Sequence, residues 1–196
     1  MASGKVKKNL SRQRIVDTGL VLAESENIDG VSIHKIAKSI GVTPMAIYRH
    51  FANKADLQAE MLDQFIANSH VIPPQGLTWQ QWLDFLARKM FDALKQQPSW
   101  VPIFGQIRLK PGALEVKQAC IEKLIDAGFS QHQAIQAFFG IIQCVIGAAN
   151  QHVQIAQSDN DPNSTFASIK EFDLLNCSLS YFIKGLNADL NSSEQR

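Results

Sequence analysis

The sequence contains few of the residues from which disulfide frameworks, metal sites and catalytic centres are built. Its three cysteines are odd in number, far apart and not accompanied by histidines at metal-binding spacing. The five histidines are scattered, and the 196 residues include no HExxH, P-loop or nucleophile-elbow motif. We therefore predict no disulfide, no metal, no cofactor and no catalytic residue, and we expect a non-enzymatic protein of the reducing cytoplasm.

Long hydrophobic runs are also scarce. The strongest, residues 134–149, has sixteen residues and includes Gln136 and Gln143, whereas a membrane span needs about 20 apolar residues. The basic N-terminus leads into a mixed amphipathic stretch, which is not typical of a secretory signal. With 45% hydrophobic and 19% charged residues, the composition predicts a globular protein with a sizeable core and no membrane partner.

Positive charge is unevenly distributed along the chain, although the formal net charge is only +1. Residues 1–54 hold nine Lys and Arg against four Asp and Glu, and the remainder carries a small negative balance. A basic end on a mildly acidic body is typical of a protein that faces a polyanion. This pattern alone does not decide between a nucleic-acid-binding surface and an ordinary solvated one.

Hydrophobic periodicity predicts an all-α chain. Its N-terminal part is expected to contain a three-helix unit, with helices near residues 7–27, 33–40 and 44–50, and a further helix near 54–69. Ser32 fits the cap of the second helix, and Gly41 fits the left-handed position after its last residue. Thr43 and Pro44 fit the first positions of the third. The second and third helices, joined by a turn of three or four residues, form a helix-turn-helix.

The third helix is expected to turn one face to the core and the other to solvent. If Ile47 and Phe51 pack inward, helical periodicity turns four other side chains outward. These are Thr43, Met45, Tyr48 and Arg49. The major groove of DNA admits one such helix, whose N-terminal residues reach base edges. The same punctuation also occurs in helical hairpins without DNA function, where Tyr48 would be a half-buried core residue.

The candidate DNA contacts fall into a base-reading and a backbone-binding group. Met45 and Ala46 offer apolar contact to thymine methyl groups, and Arg49 can reach a guanine edge or a phosphate. Phosphate binding positions a protein without reading sequence. We assign that role to three polar side chains, Tyr48, His50 and Lys54.

The stretch VSIHKIAKSIGVTPMAIYRHFANKADLQAEML, residues 31–62, resembles the DNA-binding domain of the TetR family of transcriptional regulators. The family's elements Ser/Thr-x-x-x-Ile-Ala, Gly-Val, Tyr-x-His-Phe and Asn-Lys-x-x-Leu occur in order and at the right distances. The matching residues are Ser32, Ile36, Ala37, Gly41, Val42, Thr43, Tyr48, His50, Phe51, Asn53, Lys54 and Leu57.

This resemblance implies roles for individual residues. Helix 44–50, which begins at Pro44, would be the recognition helix, and Ser32 and His34 would approach the operator from the preceding helix. The positions that would touch the DNA backbone are Tyr48, His50 and Lys54. The resemblance also implies a homodimer that binds a palindrome.

The remainder of the chain is predicted to be a second helical domain, so that residues 1–70 bind DNA and residues 71–196 bind a ligand and dimerise. Helices are expected near 79–97, 111–127, 130–158 and 164–186, with a short segment around residues 100–109. The pattern GALEVKQACIEKLIDAGFS resembles the C-terminal domain of the tetracycline-repressor branch of the family. Two helices per chain, near 131–157 and 164–186, would form a four-helix dimer interface, as the family implies. The alternative is that both complete the core of a monomer.

An effector pocket in the second domain is expected to be apolar with a few polar anchors. The candidate lining residues are His70, Trp82, Phe85, Phe104, Arg108, His132, Phe139 and Gln143. In the tetracycline repressor a histidine near the end of the fourth helix contacts the drug, and His70 lies at a comparable distance after the Tyr-x-His-Phe motif. Ordinary core packing of the aromatic residues and surface exposure of the polar ones remain the alternatives.

The favoured hypothesis is a ligand-responsive transcriptional regulator, most simply a repressor. It would bind palindromic operator DNA as a homodimer and be released by a small-molecule inducer. The alternative is a helical small-molecule-binding protein without DNA-binding function. Duplex binding that weakens steeply with salt would discriminate the two.

Overall fold

The computed structural model describes residues 10–104, 110–157 and 173–193, and these ranges are helical, with no strand among them. The eight α-helices are α1 Arg12–Gly30, α2 Ile33–Ile40, α3 Pro44–Tyr48, α4 Lys54–Asn68, α5 Trp79–Gln96, α6 Pro111–Asp126, α7 Gln131–Gln157 and α8 Leu174–Ser193. A short 3-10 helix, Pro98–Trp100, follows α5. The predicted all-α class is confirmed.

The chain divides into two compact units, and the division falls between Phe65 and Ile66, inside α4. The boundary expected from the sequence, after residue 70, lies just beyond the end of that helix. The run VIPPQG indicates where a helix ends in the sequence. The division into compact units depends instead on which residues pack together, and it can fall inside a helix.

The first unit contains α1, α2, α3 and the first part of α4. Helix α1 begins at Arg12 and not near residue 7 as expected, because Ser11 adopts an extended backbone and its hydroxyl accepts a hydrogen bond from the Arg14 N–H at 3.2 Å. Asn27, where the helix was predicted to end, has a φ of 63° that kinks it, and a last turn continues to Gly30. The most buried side chains of this unit are Ile15, Ile28, Ile36, Ile47, Phe51, Leu57 and Met61.

The second unit begins in the last part of α4 and contains α5 to α8. Helix α5 starts with the predicted capping box: the Thr78 hydroxyl accepts from the Gln81 N–H at 3.3 Å, and the Gln81 side chain accepts from the Thr78 N–H at 3.0 Å. Ser130 and Gln133 make the same reciprocal bonds at the start of α7, at 3.3 and 3.0 Å. The most buried side chains here are Leu83, Leu86, Leu94, Trp100, Cys120, Leu124, Ala134, Ile141 and Val145.

Helix α7 is the central element of the second unit, because it packs against α5, α6 and α8. It is also the one helix among the described residues whose length and apolar composition would allow a membrane span. Its buried residues Ala134, Phe138, Ile141 and Val145 recur at spacings of three and four, which is the pattern of a helix inside a protein core. One face of the helix is therefore buried in the second unit.

The last helix of the described chain, α8, lies beside α5 and α7. The sequence predicted a helix near residues 164–186, of which residues 164–172 lie outside the described residues. From Leu174 the helix is as expected, but it continues to Ser193. Its contact with α7 is close where the Phe182 ring rests on Gly140, a position with no side chain to displace it.

Candidate DNA-binding surface and ligand cavity

The turn between α2 and α3 is built by local backbone chemistry. Ser32 caps α2 by accepting a hydrogen bond from the Lys35 N–H at 3.2 Å. Gly41 ends the helix with a φ of 73°, a conformation that residues with a Cβ rarely adopt. The Val42 N–H then donates to the Ala37 carbonyl at 2.9 Å, closing the turn. Pro44 is the first residue of α3. A backbone N–H at this position would have no acceptor within the helix, so proline loses no hydrogen bond there.

Helix α3 presents an exposed face on a buried base. Ile47 and Phe51 have exposed fractions of 0% and 1%, whereas Met45 is 69% exposed and Tyr48 43% exposed. Thr43 and Arg49 are exposed as well. The predicted division of this helix into an inward and an outward face is confirmed. An exposed methionine next to an exposed tyrosine is unusual for a surface with no partner, and these side chains are free to enter a groove.

The remaining DNA-contact candidates surround this face. Lys54 is exposed at the first position of α4, and His34 is exposed in the first turn of α2. Pro44, Ala46 and His50 are partly exposed. Ser32, the last of the candidates, is also partly exposed, and its hydroxyl is already engaged in capping α2. A contact of Ser32 with DNA therefore remains a prediction for its second lone pair or its backbone.

The start of α4 is held in place by a second capping arrangement. The Asn53 side chain accepts from the Asp56 N–H at 2.9 Å, and the Asp56 carboxylate accepts from the Ala52 N–H at 3.3 Å. These bonds fix the turn that follows α3 and place Lys54 at a helix N-terminus. The N–H groups and dipole of that terminus favour an anion, in addition to the lysine charge.

Arg12 is a residue of this surface that sequence analysis missed. Its guanidinium donates to the His50 carbonyl at the end of α3, its carbon atom lies 4.2 Å from the centroid of the Phe51 ring, and it forms an ion pair with Glu60 of α4 at 3.1 Å. The sequence carried no signal for these contacts beyond the positive charge, because the partners are 38 or more residues away. Arg12 joins α1 to the residues that follow α3 and to α4.

The second unit contains a cavity of about 370 Å³ between α4, α5, α6 and α7. Its size lies in the range of small-molecule sites. The described residues that line it are Ile66, Met90, Phe104, Ala113, Val116, Phe138, Phe139, Ile142, Gln143 and Ile146. Of the predicted ligand-binding residues, the structure therefore brings together Phe104, Phe139 and Gln143.

The two other aromatic candidates lie elsewhere in the second unit. Trp82 is only 6% exposed and is not among the cavity-lining residues, so it packs in the core. Phe85 lines a different feature, an open groove between α5 and α8, together with Arg88 and Ile183. The alternative of ordinary packing thus describes Trp82 better than the pocket prediction does.

The polar candidates are also dispersed. His70 is exposed just after α4 with a φ of 47°, and its Nδ1 donates to the Asn68 carbonyl at 2.7 Å, so it does not line the cavity. His132 is exposed in the first turn of α7 and does not line it either. Arg108 lies outside the described residues. Gln143 is the polar candidate that the structure places at the cavity.

The cavity is apolar and uncharged over its described walls. Gln143 is the single polar side chain among those lining residues, and none of them is titratable. Phe138 and Phe139 form an edge-to-face pair with ring centroids 5.4 Å apart. Sequence analysis missed Ile142 and Ile146, although they follow Phe139 by three and seven residues, which places them on the same face of α7. Such a site can hold an apolar molecule and orient it through one amide.

Comparison with known proteins identifies the first unit. Residues 15–61 match the family model described as bacterial regulatory proteins, tetR family. The matched range begins inside α1 and includes α2, α3 and the Tyr-x-His-Phe and Asn-Lys elements. The chain is 29% identical over 154 residues to the class A tetracycline repressor protein from transposon 1721 of Escherichia coli, which covers 76% of this chain and 70% of that protein.

Residues 15–61 therefore form a domain of the tetR family of bacterial regulatory proteins. Solved structures of the family show the same fold at low sequence identity. A variant of TetR from Acinetobacter baumannii AYE, solved in complex with minocycline, superposes with a TM-score of 0.76 at 21% identity, covering 93% of this chain and 99% of that one. BioQ, solved with its double-stranded DNA operator, superposes with a TM-score of 0.69 at 19% identity, covering 92% and 99%.

The match to the tetR family model includes the exposed face of α3. Helix α3 is the second helix of the helix-turn-helix, in the region that the family model matches. The comparisons do not assign the individual DNA and ligand contacts of this chain.

Proposed function

We propose that this TetR-family protein is a ligand-responsive repressor that binds palindromic operator DNA as a homodimer and is released by a small-molecule inducer. The observation that carries the proposal is the recognition face of α3, where Met45 and Tyr48 are exposed while Ile47 and Phe51 are buried. The exposed side chains Met45 and Tyr48 do not belong to the buried core. A tetracycline repressor among the relatives and a family structure with its operator support the same reading.

In this proposal the exposed face of α3 enters the major groove. Met45, Ala46 and Arg49 contact base edges, and Tyr48, His50 and Lys54 contact phosphates. Thr43 and Pro44 approach the DNA at the N-terminus of α3, and Ser32 and His34 do so from α2. The basic N-terminal quarter of the chain supplies the electrostatic part of the affinity.

Dimerisation is assigned to α7 and the segment that ends in α8, near residues 131–157 and 164–186. Tyr181 on α8 has an exposed fraction of 76%, and large aromatic residues are enriched in protein interfaces. A two-fold dimer would present two recognition helices to half-sites about 34 Å apart.

The inducer is assigned to the 370 Å³ cavity of the second unit. A molecule that binds one arrangement of the dimer more tightly than the other shifts the population toward it. If the favoured arrangement no longer matches the spacing of the half-sites, the operator is released. His70, Trp82, Phe85 and His132 are not among the described residues that line this cavity, and a ligand contact of theirs stays a prediction.

The protein is proposed to act in the cytoplasm, where its operator DNA is found, and to have no enzymatic activity. The relatives are regulators. Within the described parts of the chain, no three His, Cys, Asp or Glu side chains are grouped closely enough to bind a metal ion.

The test is selection of bound duplexes from a random pool by the purified protein, repeated with Tyr48→Ala and Arg49→Ala. We expect enrichment of a palindrome that either variant loses or alters. Lys89→Ala, which removes an exposed cation from α5 in the second unit, is the matched control and should enrich the wild-type palindrome.

Failure to enrich any duplex at low salt, by a protein shown to be folded and free of ligand, would contradict the proposal. It would favour the alternative, a helical small-molecule-binding protein without DNA function. The cavity would then be the remaining place to look for activity.

A further inference from the structure

Resting on the proposed function, we propose that the inducer is an aromatic acid, with its ring in the 370 Å³ cavity and its carboxylate or phenolate bound by Lys117. Lys117 was not considered as a site residue on sequence grounds. The proposal combines three features of the second unit: an aromatic wall, the absence of acidic side chains from the described lining, and a lysine at the rim.

The aromatic wall favours a flat ring. Phe138 and Phe139 of α7 lie edge to face, and Phe104 lines the same cavity. A bound aromatic ring can stack on one of these rings and meet the edge of another, the two arrangements that aromatic pairs prefer. Met90 adds a flexible side chain that adapts to the outline of a ligand.

The charge of the described lining argues against a cation. No Asp or Glu is among these lining residues. Burying an ammonium group without a counter-charge is costly, because its hydration is lost and nothing replaces it. The lining thus favours a ligand whose buried part is uncharged. A charged group of the ligand would have to pair with a side chain of opposite charge at the opening of the cavity.

Lys117 provides such a partner, and it is a cation. Its Nζ lies 5.7 Å from the centroid of the Phe139 ring, and Phe139, which is 48% exposed, forms the mouth of the cavity rather than its floor. Ala113 and Val116 line the cavity from the same helix, and Lys117 lies one turn beyond Ala113. An anionic group at the mouth would therefore lie within reach of the ammonium group.

Gln143 supplies a second polar contact. It follows Phe139 by one helical turn on α7 and lines the same cavity. Its amide can donate one hydrogen bond to an oxygen of the ligand. Lys117 and Gln143 together would orient the polar end of an aromatic acid, while the ring remains against the phenylalanines.

The test compares three probes with the same ring system and different charges: 2-naphthoate, 2-naphthamide and 2-naphthylmethylammonium. Binding to the full-length protein is measured by calorimetry at fixed pH and salt. We expect 2-naphthoate to bind at least about tenfold more tightly than 2-naphthamide, because a charge-assisted hydrogen bond is about twice as strong as a neutral one. The ammonium probe should bind most weakly.

Two variants separate the lysine from a general effect of charge. Lys117→Met should remove the preference for 2-naphthoate and leave the affinity for 2-naphthamide within about twofold. Lys123→Met, which alters a lysine six residues beyond Lys117 on the same helix, should leave the preference intact. Phe139→Leu should weaken both probes, since it removes the ring that forms the mouth.

Equal affinity of the acid and the amide, strongest binding by the ammonium probe, or no binding by any probe would each overturn this proposal. Operator release is measured separately, by fluorescence anisotropy of a selected duplex. If no duplex is bound, the proposed repressor function fails while calorimetry still decides the chemistry of the cavity. If the cationic probe releases the operator, the repressor stands and the aromatic acid does not.

Discussion

Arg12 and Phe51 stack on one another: the guanidinium carbon lies 4.2 Å from the centroid of the ring. Phe51 is buried just after the recognition helix, whereas Arg12 is the first residue of α1. The same guanidinium also donates to the His50 carbonyl and pairs with Glu60. The contacts hold the end of α3 against α1 and α4, so the orientation of the recognition face depends on a residue that does not belong to the helix-turn-helix.

Arg12→Met is therefore expected to weaken operator binding about fivefold to tenfold, because about 1 kcal/mol of positioning is lost with the stack and the carbonyl bond. Arg12→Lys should fall in between, since lysine keeps the charge but not the planar fork. Affinity is measured by fluorescence anisotropy and the folded state by thermal unfolding. Lys89→Met is the control for loss of one positive charge. Wild-type affinity in Arg12→Met would show that α3 is positioned without it.

Lys54→Met is expected to weaken binding to all duplexes by a similar factor and to reduce the slope of log affinity against log salt by about one unit. The reason is that a phosphate contact releases one counterion and reads no sequence. Met45→Ala, on the exposed face of α3, is the matched comparison. It should change the preference at one base pair and leave the salt slope unchanged. Anisotropy titrations over a salt series distinguish the two, and an unchanged slope in Lys54→Met would remove this residue from the interface.

The N-terminal fold was predictable because its signals are local. Ser32, Gly41 and Pro44 act on the backbone within three to five residues of themselves, so the sequence contains the complete motif. The same holds for Thr78 with Gln81 at the start of α5. The inward and outward faces of α3 follow from one helical period and needed no knowledge of the partners.

The cavity was only partly predictable for a corresponding reason. Hydrophobic periodicity shows which face of a helix points to the interior. It does not show whether that face packs against other side chains or lines a cavity. Trp82 and Phe139 have the same apolar signature, yet the first packs in the core and the second forms the mouth of the cavity. His70 does not line the cavity: it has a φ of 47° and a hydrogen bond to the Asn68 carbonyl, and neither feature is visible in the spacing, so its ligand contact stays a prediction.

Gly140→Ala is expected to destabilise the protein by about 1–3 kcal/mol, the usual cost of overpacking a tight contact. A Cβ at this position would clash with the Phe182 ring, which rests on the glycine where α7 meets α8. Gly147→Ala is the control on the same helix, because a Cβ there meets nothing within 4 Å of this chain. It should be neutral or stabilise by up to about 1 kcal/mol through helix propensity.

Both glycine variants are compared by urea unfolding at one fixed protomer concentration, since dimerisation makes stability concentration-dependent. The double variant Gly140→Ala with Phe182→Leu should recover part of the loss if the ring is the obstacle. Wild-type stability of Gly140→Ala would contradict the close contact between the two helices.

Cys120 is expected to resist alkylation in the folded protein up to about pH 10. Burial raises the pKa of its thiol to about 12, and only the thiolate is the nucleophile. In the unfolded chain the pKa returns toward 9.0. The neutral buried thiol therefore stabilises the fold below that pH, and this contribution is lost as the pH rises toward 12.

Iodoacetamide labelling followed by peptide mass spectrometry measures the alkylation rate of Cys120. We expect it to be at least about 100-fold slower in the folded than in the denatured protein, since reaction requires both opening and deprotonation. Equal rates in the two states would mean that Cys120 is not in the core.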